Sequence, residues 1–86
     1  MTANAKVLAV DDRMDNLVAL EAILQGLPVD ITSVTSGDEA LKHLLLDDFA
    51  VILLDAQMPG MDGFETASHI KQRERTRHIP IVFLTA

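Results

Sequence analysis

Acidic residues follow two of the most apolar segments of the chain. Asp11 and Asp12 come directly after the first such segment and Asp55 after another, while a hydroxyl residue, Thr85, follows the last one. Carboxylate oxygens bind hard divalent cations and act as nucleophiles, and a hydroxyl group donates hydrogen bonds. These four residues are therefore the candidates for chemistry, provided that the fold brings them together.

Three carboxylates in one place require a compensating positive charge. Two like charges about 4 Å apart, at an effective dielectric constant near 20, repel each other by on the order of 4 kcal/mol. Mg²⁺ suits such a site because it takes a few carboxylate oxygens and completes its octahedral shell with water and phosphate oxygens. The sequence thus predicts a Mg²⁺ site.

Beside a bound cation, Asp55 is a candidate nucleophile toward phosphorus. Attack by its carboxylate gives an acyl phosphate, since protein carboxylates form aspartyl-phosphates and the cation offsets the charge of the phosphoryl oxygens. Thr85 can donate a hydrogen bond to one of those oxygens and so couple phosphorylation to the loop that follows the last strand. The predicted outcome is a phosphorylation switch.

Four short segments predict the strands that carry these residues. Three of them are nearly continuous apolar, β-branched runs, as in strands that are buried on both faces of a sheet. The fourth alternates apolar and polar residues, as in a half-exposed strand at a sheet edge. The buried strands are predicted at 6–10, 49–54 and 80–84, with 49–54 in a central position, and the edge strand at 29–34.

The first helix is predicted over about residues 14–25, where leucines recur at helical spacing. Asp12 or Asp15 can cap its start, because a short acidic side chain accepts hydrogen bonds from free backbone N–H groups. Gly26 and Pro28 are typical of the residues just beyond a helix end. The helix therefore fills the gap between the first two strands.

Two capping boxes predict the remaining helices. Ser36 with Glu39 and Asp62 with Glu65 have the spacing at which a side chain at the helix start bonds the backbone three residues later. Apolar residues at helical spacing follow each box, and the two helices are predicted to end near residues 46 and 75.

The alternation of strands and helices predicts an α/β fold, an open parallel sheet with helices on both faces. The 86 residues contain no repeat or linker, so we expect one domain over 1–86. In such sheets ligands bind beyond the carboxyl ends of the strands. The prediction therefore brings Asp11, Asp12, Asp55 and Thr85 to one edge.

Composition excludes several classes of partner. The formal net charge of -6 disfavours direct nucleic-acid binding, which relies on Lys and Arg contacts to phosphate. No apolar run reaches the roughly 20 residues of a membrane span, so membrane insertion is not expected. The chain has no cysteine and its start lacks the features of a signal peptide, so we expect a cytoplasmic location.

Three motifs resemble those of response-regulator receiver domains of bacterial two-component systems. They are Val10-Asp11-Asp12, the run Leu53-Leu-Asp55-Ala-Gln-Met-Pro-Gly-Met-Asp-Gly63, and Phe83-Leu-Thr-Ala86. The match spans the whole chain, and the long central motif is highly specific in this order and spacing. The resemblance implies a flavodoxin-like fold with strand order 2-1-3-4-5.

The resemblance also implies roles for individual residues. Asp12 and Asp55 would ligate Mg²⁺ directly, the backbone carbonyl of Gln57 would add a third protein oxygen, and Asp11 would act through water. Thr85 matches the family's switch hydroxyl. The phosphoryl group would come from a histidine kinase or a phosphotransfer protein.

The family pattern continues beyond Ala86 with a helix, a fifth strand that ends in a phosphate-contacting lysine, and a last helix, and this sequence contains none of them. We therefore expect the fourth strand, at 81–84, to lie at an edge that is open to pairing with another chain. A homodimer through that edge, or a damaged switch, is the predicted consequence.

Three functions remain distinct at this point. The leading one is a switch that catalyses its own phosphorylation and loses the phosphate by hydrolysis, and that is not a turnover enzyme. The second is a receiver-like module that no longer takes phosphate and serves as an interaction or dimerisation surface. The third is an Asp-nucleophile phosphatase of the haloacid-dehalogenase type, whose pattern requires a second Asp two positions after the first; Asp11-Asp12-Arg13 does not fit it.

Overall fold

The segments predicted as strands form one parallel sheet. The computed structural model describes residues 4–84, and the sheet order is β2-β1-β3-β4. This order agrees with the first four strands of the expected topology, with β2 at one edge and β3 in the interior. The strands are β1 (Ala5–Val10), β2 (Val29–Val34), β3 (Val51–Asp55) and β4 (Ile81–Leu84).

The register of the strands aligns their carboxyl ends. Val10, the last residue of β1, lies opposite Val34 of β2 and Leu54 of β3, and Asp55 lies opposite Leu84 of β4. Asp11 continues from β1, and its N–H donates to the carbonyl of Val34 at 3.2 Å. The residues that follow β1 and β3 therefore share one edge of the sheet.

Helices cover both faces of the sheet, as predicted. The helices are α1 (Met14–Leu24), α2 (Gly37–Leu46) and α3 (Gly63–Gln72). Leu8 and Ile52 belong to the main core, which they share with residues of α2 and α3. Because successive residues of a strand face opposite sides, the buried Val7 faces the other layer, where Leu17 of α1 is buried. No helix within residues 4–84 has the length and apolarity of a membrane span.

Side chains cap the starts of α2 and α3. The Ser36 hydroxyl accepts a hydrogen bond from the Glu39 N–H at 3.1 Å, and an Asp62 carboxylate oxygen accepts one from the Glu65 N–H at 2.8 Å. Each bond satisfies a backbone donor that has no partner within the helix. The two predicted helix starts are confirmed.

The predicted cap of α1 is correct only in part, because Asp15 accepts a hydrogen bond from the backbone N–H of Asn16 at 3.1 Å but is not the residue that precedes the helix. The residue that precedes α1 is Arg13, and its side chain makes no capping hydrogen bond. Asp15 lies inside the first turn, where it pairs with the Arg13 guanidinium at 3.0 Å. Asp12 does not cap α1, and one of its oxygens is grouped with oxygens of Asp11 and Asp55. Asp12 therefore belongs to the acidic group at the strand ends, and Asp15 to the start of α1.

α3 ends at Gln72, three residues before the predicted Arg75, because side chains hold a series of turns after it. The buried Thr76 hydroxyl donates to the carbonyl of Ile70 at 2.8 Å. Lys71 donates its ammonium group to the carbonyls of Arg77 and Ile79 at 3.0 and 2.9 Å. These bonds replace helical ones and direct the chain into β4.

Candidate functional site

Three carboxylates converge at the carboxyl edge of the sheet. One oxygen from each of Asp11, Asp12 and Asp55 lies within 4.8 Å of the others. Asp11 is buried with 4% of its surface exposed, Asp55 is partly buried, and Asp12 is exposed. The structure therefore brings together the acidic residues that the sequence singled out, and it leaves one side of the cluster open to solvent.

The protein holds Asp11 by both of its carboxylate oxygens. One oxygen accepts a hydrogen bond from the backbone N–H of Arg13 at 3.0 Å, and the other accepts one from the side-chain amide of Asn16 at 3.1 Å. Asn16 was not among the residues predicted for the site. An amide side chain in the first turn of α1, five residues after Asp11, is the signal that could have identified it.

Asp55 is the last residue of β3, and the backbone N–H of Gln57 donates to one of its carboxylate oxygens at 3.1 Å. Burial raises the pKa of Asp55 above its usual value of 3.8, and the negative charges of Asp11 and Asp12 raise it further, while the Gln57 hydrogen bond opposes the rise. The cluster therefore carries negative charge that no described hydrogen bond fully compensates.

The residues of the cluster fit an oxygen-ligated divalent cation. Carboxylate oxygens are the ligands that Mg²⁺ and Ca²⁺ prefer, at about 2.0 to 2.6 Å, and oxygens within 4.8 Å of one another suit a cation that is held by some of them directly and by others through water. A cation also removes the repulsion that raises the pKa of Asp55. The three carboxylates line an open cleft of about 530 Å³, and Gln57 and Leu84 contribute to its wall.

Two of the predicted site residues are placed less fully. Gln57 lines the cleft and binds Asp55 through its N–H, whereas the role expected of its carbonyl oxygen remains a prediction. Thr85, the predicted switch hydroxyl, lies outside the described residues. Its neighbour Leu84 pairs with Asp55 across β3 and β4.

A glycine supports the backbone of Asp55. Gly63, the first residue of α3, is buried, and its N–H donates to the carbonyl of Ala56 at 3.2 Å. A Cβ atom at this position would collide with the carbonyl oxygen of Asp55 and would lie 2.7 Å from the Cα of Ala56. The start of α3 therefore packs directly against the end of β3, which requires a residue without a side chain.

Known proteins share the sequence pattern of this chain. The sequence profile of the response regulator receiver domain matches residues 7–86. The chain is 41% identical over 83 residues to the response regulator PleD of Caulobacter vibrioides and 38% identical over 84 residues to the sensor histidine kinase GacS of Pseudomonas protegens. These matches cover 96% and 94% of the chain, but the chain spans only 18% of PleD and 9% of GacS.

Solved structures show the same fold. The N-terminal domain of a response regulator receiver protein from Methanoculleus marisnigri aligns with a TM-score of 0.91 and 34% identity, over 95% of this chain and 67% of that one. The receiver domain of a sensor histidine kinase from Pseudomonas aeruginosa, with a magnesium ion coordinated in its active-site cleft, aligns with a TM-score of 0.91 and 32% identity over 98% of this chain and 69% of that one. The chain therefore belongs to the response regulator receiver domain family of two-component systems.

Proposed function

We propose that this chain is a phosphoacceptor module of two-component signalling, which takes a phosphoryl group onto Asp55 from a histidine kinase or phosphotransfer protein in a Mg²⁺-dependent reaction. The convergence of Asp11, Asp12 and Asp55 at the carboxyl edge of the sheet carries this proposal. Membership of the receiver family supports it, since relatives include both a response regulator and a sensor histidine kinase.

Asp55 is the proposed nucleophile because it occupies a fixed position with access to solvent. An oxygen of its carboxylate forms a bond to phosphorus, and the bond between phosphorus and the donor's imidazole nitrogen breaks, with its electron pair remaining on that nitrogen. The hydrogen bond from Gln57 fixes the carboxylate at the end of β3. This orientation lowers the free-energy barrier to attack on phosphorus, because less conformational entropy remains to be lost on reaching the transition state.

Asp12 and Asp55 are the proposed direct ligands of Mg²⁺, with the Gln57 carbonyl as a further one and Asp11 acting through water. The exposure of Asp12 and the double hydrogen bonding of Asp11 support this division of roles. The magnesium ion in the cleft of the Pseudomonas aeruginosa receiver domain supports the choice of cation. When bound, Mg²⁺ offsets charge on the phosphoryl oxygens.

The proposed module acts as a switch rather than as a turnover enzyme, and its proposed location is the cytoplasm. It catalyses its own phosphorylation and later loses the phosphate by hydrolysis. Thr85, directly after the strand that pairs with β3, is the proposed hydroxyl that reports phosphorylation. The variant Thr85→Ala tests this role. It should still gain a phosphoryl group, but it should lack the change in the surroundings of β4 that phosphorylation is expected to cause in the wild type.

The test of the acceptor is intact-mass measurement after incubation with acetyl phosphate and Mg²⁺. The wild-type chain should gain one phosphoryl group, Asp55→Asn should gain none, and excess EDTA should abolish the gain. Asp48→Asn, which changes an exposed aspartate in the loop before β3, is the matched control and should behave as wild type. A modified Asp55→Asn variant, or full modification in EDTA, would refute the proposal.

The exposed edge of the described sheet favours a second candidate, an interaction module that takes no phosphate. Within residues 4–84, β4 has one neighbouring strand, and its Val82 and Phe83 are 49% and 38% exposed. Light scattering after size exclusion separates the two candidates. A dimer that forms without Mg²⁺, combined with no gain of phosphoryl mass, would favour the interaction module over the switch.

A further inference from the structure

Asn16 restrains the one buried carboxylate of the site. It lies in the first turn of α1, and its side-chain amide donates to Asp11 at 3.1 Å. The backbone N–H of Arg13 donates to the other oxygen of Asp11 at 3.0 Å. Both oxygens of a residue that is only 4% exposed are thus engaged by donors at the start of α1.

The other two carboxylates are held less tightly. Asp55 is bound by the N–H of Gln57 at one oxygen, and Asp12 is exposed. The amide of Asn16 is the only side-chain donor to Asp11 among the hydrogen bonds of residues 4–84. Loss of this amide would leave Asp11 held through one oxygen only, so that its side chain could rotate further into the acidic group of which it already forms part.

We propose that Asn16 is a positioning residue that keeps Asp11 out of the inner coordination shell and thereby sets the preference of the site for Mg²⁺ over Ca²⁺. This inference rests on the proposed Mg²⁺ site. Mg²⁺ requires near-ideal octahedral geometry and retains several waters, so it is served by one or two direct carboxylates. Ca²⁺ accepts six to eight oxygens in flexible geometry and gains from a third carboxylate.

The chemistry of the Asn16 side chain fits this role. Its amide is a neutral donor, so it satisfies an oxygen of Asp11 without cancelling the charge that Asp11 contributes to the cation. Leucine has nearly the same shape and no donor, so Asn16→Leu removes the hydrogen bond while retaining volume. Asn16 is exposed, so we expect this variant to fold.

The experiment is calorimetric titration of the whole chain with Mg²⁺ and, separately, with Ca²⁺. The quantity of interest is the ratio of the two dissociation constants. We expect Asn16→Leu to shift this ratio toward Ca²⁺ by roughly tenfold, at the low end of the effect of losing an outer-shell partner. The matched control is Asn4→Leu, which removes another Asn–Asp hydrogen bond, that of Asn4 to Asp30 at 3.1 Å, and should leave the ratio unchanged.

A double-mutant cycle shows whether Asn16 acts through Asp11. In the Asp11→Asn background, Asn16→Leu should no longer change the ratio, because the carboxylate that it positions is gone. The inference would be overturned if Asn16→Leu left the ratio unchanged or weakened the binding of both cations equally. In either case, Mg²⁺ binding by the wild-type chain would leave the proposed function intact. A wild-type chain that binds no Mg²⁺ would instead overturn the proposed site itself.

Discussion

The rings of Phe64 and Phe83 lie with their centroids 5.0 Å apart and their planes inclined by 34°. Phe64 follows the first residue of α3, and Phe83 lies opposite Leu54 in the register of β4 with β3. The two rings therefore connect the start of α3 with β4. Both remain partly exposed, at 64% and 38%.

We predict that this aromatic pair contributes a measurable coupling energy. Pairs with this centroid separation contribute about 0.5 to 1.5 kcal/mol beyond their buried area. The variants Phe64→Leu and Phe83→Leu and the double variant, each unfolded with urea, should give a coupling in that range. If the losses in the free energy of unfolding of the two single variants add up to that of the double variant, the two rings are neighbours without a specific interaction.

We predict that Gly63→Ala destabilises the protein by about 3 kcal/mol and lowers the rate of phosphorylation, because the new methyl group meets the backbone of Asp55 and Ala56. Gly26→Ala is the control. Gly26 has open space around it but a φ of 92°, so alanine should cost about 1 kcal/mol through backbone strain alone and leave phosphorylation unchanged. Equal stability losses in the two variants would contradict the packing argument.

The charge of Asp55 should make stability depend on pH when divalent cations are absent. The pKa of Asp55 is raised in the folded state, so the folded protein binds more protons than the unfolded chain between 3.8 and the raised value. Its stability relative to Asp55→Asn should therefore fall as pH rises through that window and then level off. At neutral pH the variant should therefore be the more stable of the two.

Urea unfolding in a chelating buffer over the acid and neutral range checks this dependence. Asp48→Asn, at an exposed loop position, should follow wild type throughout. Added Mg²⁺ should reverse the order of stability at neutral pH. The cation stabilises the folded wild type more than the variant, because the variant has lost one of the three carboxylates. A difference between wild type and Asp55→Asn that stayed constant with pH would show that burial of the charge is not the cause.

We predict that Lys71→Met lowers stability by about 1 to 2 kcal/mol, because the carbonyls of Arg77 and Ile79 lose their charged donor. Methionine retains most of the aliphatic stem, so the loss reports the hydrogen bonds. Lys42→Met, at an exposed position of α2, should change stability by less than about 0.5 kcal/mol. The midpoints of urea unfolding compare the two variants, and similar midpoints would refute a role for the Lys71 bonds.

The hydrophobic pattern was sufficient to predict the parallel strands and the position of the acidic cluster, whereas the order of the strands came from the resemblance to receiver domains. β-branched runs that stop at Asp11 and Asp55 predict parallel strands, and parallel strands align their carboxyl ends. The spacings of Ser36 with Glu39 and of Asp62 with Glu65 predicted two helix starts, since a capping bond spans a fixed local distance. Periodicity and local spacing thus determine most of the fold.

Contacts that depend on the folded arrangement were not predictable in this way. The end of α3 depends on Thr76 and Lys71, whose side chains bond carbonyls six to eight residues away in the turns before β4. The bond from Asn16 to Asp11 depends on the angle at which α1 leaves β1. The same carboxylate takes the N–H of Arg13, the residue that precedes α1.

The position of β3 between β1 and β4 has a consequence for local stability. Amides in a strand with neighbours on both sides exchange with solvent only when much of the molecule opens, whereas a peripheral strand frays at lower free energy. Slow exchange is therefore expected through β3 and faster exchange through β2, which has one neighbour among the described strands. A group that reacts at Asp55 would be anchored to one of the segments of the chain that open least readily.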